Sequence, residues 1–282
     1  MFKNRIVLLV NNDNDCGFLK EHGFSLLIES QEINVLFDTG QGKTLNANSI
    51  KKSINWNTLQ GLILSHGHYD HTGGIPFIIG KCPSIQIYAH KDILTRRYHF
   101  ITRDSQLISK KDISITDKAR QCLSNHANLK WIDSAVMLSP HVGITGPILR
   151  KFKDSFSKEA LYVSEANFEE DVVEDEMALW IDSKDGLIII TGCCHAGLKN
   201  TIEAVKSITK KNRIHILVGG FHLRNSETQE INEICTYLNT LSIDLIIPCH
   251  CTGSQATDIM KKLLQTSVRR GLCGDEWTFE LK

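Results

Sequence analysis

Residues 59–74 read LQGLILSHGHYDHTGG, and this stretch decides the fold. An apolar run that is typical of a buried strand ends directly at four potential metal ligands, His66, His68, Asp70 and His71. The histidines at positions i and i+2 can reach one metal ion from a tight loop, and the adjacent aspartate and histidine can reach a second ion. Imidazole nitrogens and a carboxylate together suit zinc, iron or manganese. The alternative is a polar loop with chance histidines, but burying such groups is costly unless their nitrogens are bonded.

The composition of the chain excludes several classes of protein. It has 282 residues, of which 41% are hydrophobic and 23% charged, and its formal net charge is zero with neutral histidines. This balance is ordinary for a soluble enzyme and indicates neither a nucleic-acid partner nor a membrane surface. The nine cysteines are an odd number, and the apolar run Ile6–Val10 is too short for a signal or membrane segment. We therefore expect reduced thiols and a cytoplasmic location.

The second half of the chain repeats one local pattern three times. Apolar, strand-like runs end at His195, His222 and His250, and a segment with helical spacing follows each histidine. This alternation predicts an α/β fold. We find no internal repeat or linker, so we expect a single domain over residues 1–282, with an insertion over the site at about 91–135.

Seven motifs extend from residue 35 to residue 253, in the order VLFDTG, SHGHYDHTGG, ITGPI, DEMAL, ITGCCHAG, GGFHL and PCHCTG. The histidine-rich motif resembles the HxHxDH motif of the metallo-β-lactamase superfamily. The whole series resembles one branch of that superfamily, the dihydropterin–ribofuranosylaminobenzene phosphate synthases, and covers most of the chain outside about 91–135. The resemblance implies an αββα sandwich, with mixed sheets inside and helices on both outer faces.

The resemblance also implies six ligands for two divalent ions: His66, His68 and His195 for the first, and Asp70, His71 and His250 for the second. Zinc is the favoured metal, with manganese, iron or magnesium as alternatives. Asp38 in VLFDTG matches the strand-end aspartate of the family. We expect it to support the site, because a ligating imidazole usually donates its other N–H to a carboxylate or carbonyl. Taken alone, Asp38 could equally be a turn or helix cap.

Cysteines stand where a bridging carboxylate would be expected. No aspartate occurs in TGCCHAG, so either the bridging ligand is absent or a thiolate of Cys193 or Cys194 replaces it. We interpret Cys249 and Cys251 as packing residues. We interpret the acidic run 169–176 as a solvated turn rather than a second metal site.

The function implied by the resemblance is metal-assisted chemistry on a phosphate- or diphosphate-bearing small molecule, as in a transferase that releases pyrophosphate. Asp70 and His222 are the candidate catalytic residues. His222 would donate a proton or contact phosphate, unless it is structural, and His141 is a weaker candidate. Two alternatives stay open: a generic metallo-hydrolase acting on phosphodiesters or thioesters, and a metal-binding sensor without turnover.

Overall fold

The computed structural model describes residues 4–103, 106–152, 161–164 and 169–282. Its strands, in chain order, are β1 Arg5–Val10, β2 Ser25–Glu29, β3 Asn34–Phe37, β4 Gly61–Ile63, β5 Gln86–Ala89, β6 Tyr98–Arg103, β7 Gln106–Asp112, β8 Leu129–Trp131, β9 Val136–Ser139, β10 Val142–Ile144, β11 Leu161–Tyr162, β12 Leu179–Ser183, β13 Gly186–Thr191, β14 Ile214–Gly220, β15 Ile243–Cys249, β16 Ser267–Val268 and β17 Glu276–Thr278. Its α-helices are α1 Leu45–Lys51, α2 Tyr69–Thr72, α3 Ile75–Lys81, α4 Asp117–Ser124, α5 Leu198–Thr209, α6 Thr228–Leu238 and α7 Ser254–Leu263.

Two seven-stranded mixed sheets form the centre of the molecule. The first has the strand order β17-β1-β2-β3-β4-β5-β8, and the second has the order β16-β15-β14-β13-β12-β10-β9. Strands β3, β4, β5 and β8 are parallel to one another, as are β13, β14, β15 and β16. Because parallel strands end at the same edge of a sheet, the loops after β3 and β4 lie together, and so do those after β13, β14 and β15.

Hydrophobic residues pack in three layers around these sheets. Leu26 and Phe37 of the first sheet share a cluster with Ile190 and Val218 of the second, and all four are fully buried. Leu27, the neighbour of Leu26, faces the opposite side and packs in a separate cluster. Alternate side chains of one strand therefore cover both faces, which is why these strands read as continuous apolar runs.

The helices cover the two outer faces. Residues of α3 and α4, including Ile78 and Leu123, pack against the outer face of the first sheet. Residues of α5, α6 and α7, including Ile202, Ile231 and Met260, pack against the second sheet. This order of layers confirms the αββα sandwich. Of the helices in the described ranges, none combines the length and apolar character needed to cross a membrane.

Several predicted elements need adjustment. The sequence of residues 141–148, HVGITGPI, is typical of a turn-rich segment, but Val142–Ile144 forms β10, an inner strand buried between β9 and β12. The range 91–135 divides into two parts. Strands β6 and β7 form a small sheet with β11, whereas α4 and β8 extend the main layers. The sequence is hard to interpret here because α4 buries only a narrow stripe, with Ala119 and Leu123 as its buried residues.

Candidate metal centre

The predicted site residues meet where strands of both sheets end. Asp38 follows β3, the histidine cluster follows β4, and three further strand ends in the second sheet carry Cys194, His222 and His250. Asp38, Cys194, His222 and His250 have positive φ angles of 59°, 68°, 54° and 47°. Such backbone conformations cost about 1–3 kcal/mol each for non-glycine residues and persist where the surrounding structure imposes them. Their concentration at this edge indicates a functional site.

The first group of donors consists of His66, His68 and His195. One ring nitrogen from each lies within 4.8 Å of the others, and all three side chains are buried. Nε2 of His68 and both ring nitrogens of His195 have no hydrogen-bond partner within the described part of the chain. Buried polar atoms are nearly always bonded, so unpaired imidazole nitrogens facing one point fit a divalent cation.

The second group consists of Asp70, His71 and His250. Nε2 of His71 lies 3.3 Å from Nε2 of His250, and Oδ2 of Asp70 lies 3.3 Å from His250 Nε2 and 4.0 Å from His71 Nε2. The structure therefore brings the six predicted ligands together. The first predicted set forms one compact donor group, whereas Asp70 and His250 also form such a group with His22. The mixture of imidazole and carboxylate donors suits zinc or another transition metal.

Asp38 lies directly behind both groups and is fully buried. Its Oδ2 is 2.7 Å from Nδ1 of His71 and also accepts a hydrogen bond of 2.6 Å from the Ser65 hydroxyl. Because that hydroxyl donates to Asp38, it can accept from Nδ1 of His66, which is 2.9 Å away. With the proton on Nδ1, the Nε2 atom of His66 presents a lone pair to the site, and Nε2 of His71 does so when that ring is neutral.

Two glycines allow this close packing. A Cβ atom on Gly67, between the first two histidines, would lie 2.4 Å from Nη1 of Arg97 and 2.5 Å from the carbonyl oxygen of Ile93. A Cβ atom on Gly192 would lie 2.2 Å from the hydroxyl of Ser65. Only glycine permits these approaches.

Burial decides the protonation of the first group. Loss of hydration holds the pKa values of His66, His68 and His195 well below their usual range, so these rings are neutral and keep a lone pair for a metal. For His71, burial acts in the same direction, but the Asp38 carboxylate outweighs it and raises the pKa to about 9. Burial lowers the pKa of His250.

Cys193 lies between the two groups. Its Sγ atom is 3.2 Å from Nε2 of His71, and it belongs to one compact donor set with His66 and His71 and to another with His250 and Cys251. Cys251 was predicted to be a packing residue, and that was wrong, because the turn after β15 directs it into the site. Cys249 is buried in the core between the sheets, as predicted.

The acidic run is only in part the solvated turn that the sequence predicts, because Glu169, Glu170 and Glu174 are exposed but its last two residues are not. Asp175 and Glu176 are buried, and the Glu176 carboxylate accepts hydrogen bonds from the backbone N–H groups of His195 and Ala196, at 2.6 and 2.5 Å. This contact fixes the loop that carries His195. The run appears solvated in the sequence because the cation that pairs with it, Arg97, is distant in the chain.

Arg97 is the buried partner of the acidic run. Its guanidinium donates to both carboxylate oxygens of Asp175, at 3.1 and 2.6 Å, and pairs with Asp171 at 2.8 Å. The arginine directly precedes β6 and lies against Gly67, so it links the small sheet, the acidic run and the histidine loop.

Two residues near the site escaped the sequence analysis. His22, in the loop between β1 and β2, places Nε2 3.0 Å from Oδ2 of Asp70. Asn12 lies 2.9 Å from Nδ1 of His250 through its Oδ1 atom. A lone histidine and an asparagine outside any motif carry no local signal of such a role.

The other two predicted histidines lie in different places. His222 lies beside His195, with ring centroids 4.3 Å apart, and lines the site pocket. His141 lies outside that pocket, where Nδ1 is 2.5 Å from a carboxylate oxygen of Glu32. The structure therefore brings His222, but not His141, to the metal ligands.

A pocket of about 270 Å³ opens over the donor groups. Besides the ligands, it is lined by Lys111 of β7 and by Arg224, which follows β14. The Lys111 ammonium donates to the Tyr69 hydroxyl at 2.8 Å, and the Arg224 guanidinium donates to the His250 carbonyl at 3.0 Å. Neither cation pairs with a carboxylate of the described residues, so both are available to an anionic ligand.

Comparisons with known proteins agree with this geometry. The family model described as Metallo-beta-lactamase superfamily matches residues 20–140. An uncharacterized protein of Methanocaldococcus jannaschii is 29% identical over 92% of this chain and 94% of its own length. The 7,8-dihydropterin-6-methyl-4-(beta-D-ribofuranosyl)-aminobenzene-5'-phosphate synthase of the same organism is 29% identical over 90% of this chain and 88% of its own length.

One solved structure matches nearly the whole chain. It is a crystal structure described as a metal-dependent hydrolase of the beta-lactamase superfamily, with 30% sequence identity and a TM-score of 0.81. The match covers 97% of this chain and 98% of that one. The fold, the motif series and the arrangement of donors thus lead to one conclusion: this chain belongs to the metallo-beta-lactamase superfamily, whose fold implies the binding of divalent metal.

Proposed function

We propose that the protein is an enzyme that holds two divalent ions, zinc by preference, and acts on a phosphate- or diphosphate-bearing small molecule. The observation that carries the proposal is the first donor group, which holds unpaired, buried imidazole nitrogens and lies beside a second cluster of buried donors. When bound, two such ions would polarise phosphoryl oxygens and offset the charge that develops on a leaving phosphate or diphosphate.

The residues around the donors support an anionic substrate. Lys111 and Arg224 line the same pocket as the ligands, on β7 and after β14 respectively. Hydrogen bonds from ionised donors to phosphate oxygens are short and strong, so these two side chains would hold a phosphate group and orient it. His222, beside His195, would contact the same group or donate a proton to it.

The curated relatives support the same substrate class. The relative named as a phosphate synthase is 29% identical over 90% of this chain. We extend to this chain the class of ligand, a phosphorylated small molecule, and leave the choice between transfer and hydrolysis to experiment.

We further propose that Cys193 would supply a thiolate donor to the metal site, alongside the histidines of both groups. Sγ belongs to donor sets on both sides, and no carboxylate in the TGCCHAG segment competes for this position. A thiol bound to such an ion gives up its proton, so burial of Cys193 does not oppose ligation.

Metal analysis and a substrate screen test the function together. We expect two ions per chain by mass spectrometry, and turnover in a panel of diphosphates, phosphodiesters, phosphomonoesters and thioesters. Replacing both Asp70 and His71 with alanine should abolish that turnover, while circular dichroism shows a retained fold. Full activity in the folded double variant, or turnover confined to thioesters, would overturn the proposal. Two bound ions without turnover on any class would favour a metal-binding sensor.

A further inference from the structure

Asn12 joins two histidines of the site. Its side chain lies between His22, which follows it by ten residues, and His250, which arrives from the second sheet. Both imidazole rings turn Nδ1 toward Asn12 and Nε2 toward Oδ2 of Asp70, at 3.0 Å from His22 and 3.3 Å from His250. The two rings would look equivalent if only their distances to Asp70 were considered.

The orientation of the Asn12 amide breaks this equivalence. The backbone N–H of Gly23 lies 3.1 Å from the atom assigned as Oδ1. A backbone N–H can only donate, so the atom that faces it must be the carbonyl oxygen. The Nδ2 group therefore faces His22, whose Nδ1 is 3.2 Å away. This assignment needs no assumption about either histidine.

The tautomers follow from donor and acceptor roles. Oδ1 of Asn12 accepts, so Nδ1 of His250, 2.9 Å away, carries a hydrogen, and Nε2 of the neutral ring carries a lone pair. Nδ2 of Asn12 donates, so Nδ1 of His22 carries the lone pair, and Nε2 of the neutral ring carries the hydrogen.

We propose that Asn12 imposes opposite tautomers on the two rings, so that His250 offers a lone pair to a metal ion while His22 donates a hydrogen bond to Asp70. His22 is thereby a positioning residue for a carboxylate ligand and not a ligand itself. The inference rests on the proposed metal site. It gives a role to two residues outside the superfamily motif series, one of which, His22, lines the pocket with its side chain 42% exposed.

The buried lone pairs support this assignment. Nε2 of His250 and the Asp70 carboxylate face each other at 3.3 Å with no hydrogen between them once Nδ1 is protonated. Two acceptors at this distance repel each other unless a cation lies nearby. The hydrogen bond from His22 holds Asp70 in that position, as outer partners of ligating carboxylates commonly do.

Nitrogen NMR of histidine-labelled, zinc-loaded protein tests the tautomers directly. The chemical shifts of ¹⁵N nuclei separate protonated, lone-pair and metal-bound ring nitrogens, and the His22→Gln spectrum identifies the His22 signals by their loss. We expect His22 with a protonated Nε2 and a bare Nδ1, and His250 with a protonated Nδ1 and a metal-bound Nε2. A metal-bound Nε2 or a protonated Nδ1 on His22 would overturn the inference.

Substitution of Asn12 tests its part in the arrangement. Asn12→Asp keeps both acceptor contacts but cannot donate to His22. Nδ1 of His22 should therefore take up a proton, whether the ring stays neutral or becomes an imidazolium. The matched control is Asn14→Asp in the same segment, which should leave the His22 signals unchanged. Unchanged His22 signals in Asn12→Asp would show that the amide does not set the tautomer.

Measurements of metal affinity distinguish a positioning role of His22 from direct binding of the metal ion by His22. His22→Gln retains an N–H donor at the end of its side chain, whereas His22→Phe retains a ring without one. In competition with a chelator, we expect the phenylalanine variant to bind the second ion about 10- to 100-fold more weakly, the usual cost of losing an outer partner. The glutamine variant should stay within about threefold of wild type. Equal losses in both folded variants would identify His22 as a ligand, and failure of the wild-type protein to bind two ions would refute the proposed function instead.

Discussion

The position of Cys193 in the structure shows which of the two adjacent cysteine sulfurs faces the candidate metal donors. Cys193 follows β13 directly after Gly192, and its sulfur lies 3.2 Å from His71. Its neighbour Cys194 turns the other way, where its sulfur lies 3.3 Å from the hydroxyl of Thr201 in α5. Although the two residues are adjacent and chemically identical, Cys193 faces the metal donors and Cys194 faces the helix layer.

This difference predicts opposite results for two matched variants. Cys193→Ser should abolish the thiolate-to-metal charge-transfer band of cobalt-substituted protein. It should also weaken metal binding by at least the roughly 10- to 100-fold that loss of an outer partner costs. Cys194→Ser should leave the band in place. A charge-transfer band of unchanged intensity in Cys193→Ser that disappears in Cys251→Ser would show that Cys251, and not Cys193, is the thiolate ligand.

At the scale of elements, the β6–β7 ribbon supplies the pocket with a cation. Lys111 faces the pocket and bonds to Tyr69, whereas the preceding Lys110 lies over the ring of Tyr98, 4.5 Å from its centroid. Adjacent residues of a strand point to opposite faces, so the ribbon offers a built-in control.

Lys111→Met should weaken binding of inorganic pyrophosphate to the metal-loaded protein about 10- to 150-fold, since a hydrogen bond to a charged group contributes about 1.5–3 kcal/mol. Lys110→Met should change the affinity little. Isothermal calorimetry measures both. Equal affinities for the Lys111→Met and wild-type proteins would exclude this lysine from phosphate binding.

The buried ion pairs that join the β6–β7 ribbon to the acidic run contribute to the free energy of unfolding. Arg97 is 1% exposed and pairs with Asp171 and Asp175, which are themselves buried. Arg96, the residue before it, forms exposed ion pairs with Asp112 and Asp117. The two arginines differ mainly in access to water, and this decides the cost of removing each one.

Arg97→Met should lower the free energy of unfolding by about 3–5 kcal/mol, because it leaves buried carboxylates without a counter-charge. Arg96→Met should cost at most about 1 kcal/mol, the range of an exposed ion pair. Urea denaturation of the metal-free proteins provides the comparison. Similar losses for both variants would contradict the burial of this network.

At the scale of the whole molecule, the metal centre couples folding to pH. In metal-free protein, His66, His68 and His195 have pKa values well below their usual 6.5, whereas the pKa of His71 is raised to about 9. A depressed histidine pKa means that the unfolded chain binds more protons, so the folded state is destabilised as the pH falls through and below 6.5. A raised pKa acts in the opposite sense. Its stabilisation is complete below 6.5 and is lost as the pH rises toward 9.

Metal-free protein should therefore lose stability as the pH falls below 6.5. Between pH 6.5 and 9 its stability should change little, because His71 loses stabilisation while the Cys251 thiol, whose pKa is lowered to about 5 despite its burial, gains it. On the acid side each depressed histidine costs up to about 1.4 kcal/mol per pH unit until its own folded-state pKa is reached, so the decline should be steeper than on the alkaline side. Thermal unfolding after chelation, recorded across the pH range, measures this dependence. Restoring zinc at neutral pH should raise the melting temperature, since a ligand that binds only the folded state stabilises it. A flat pH profile would contradict the burial of these rings.

Local patterns in the sequence accounted for most elements and for the principal donors. The strands at 5–10, 34–37 and 186–191 are continuous apolar runs in the sequence, and such runs are enough to recognise strands buried on both faces. The cluster at 66–71 could be recognised because its ligands are adjacent in the chain. Residues that act through distant partners, such as Arg97 with Asp175, could not be recognised in this way.

The sequence by itself determined the family, the layered α/β architecture and the strand ends that carry donors, since these depend on periodicity and on motifs only a few residues long. Only the tertiary structure decided that Cys193 faces both donor groups, that Lys111 enters the pocket, and that Asn12 reaches His250 across 238 positions of the chain. The physical reason is that two separately formed sheets pack face to face. That packing brings their strand-end loops together, and no local pattern encodes which side chains then meet.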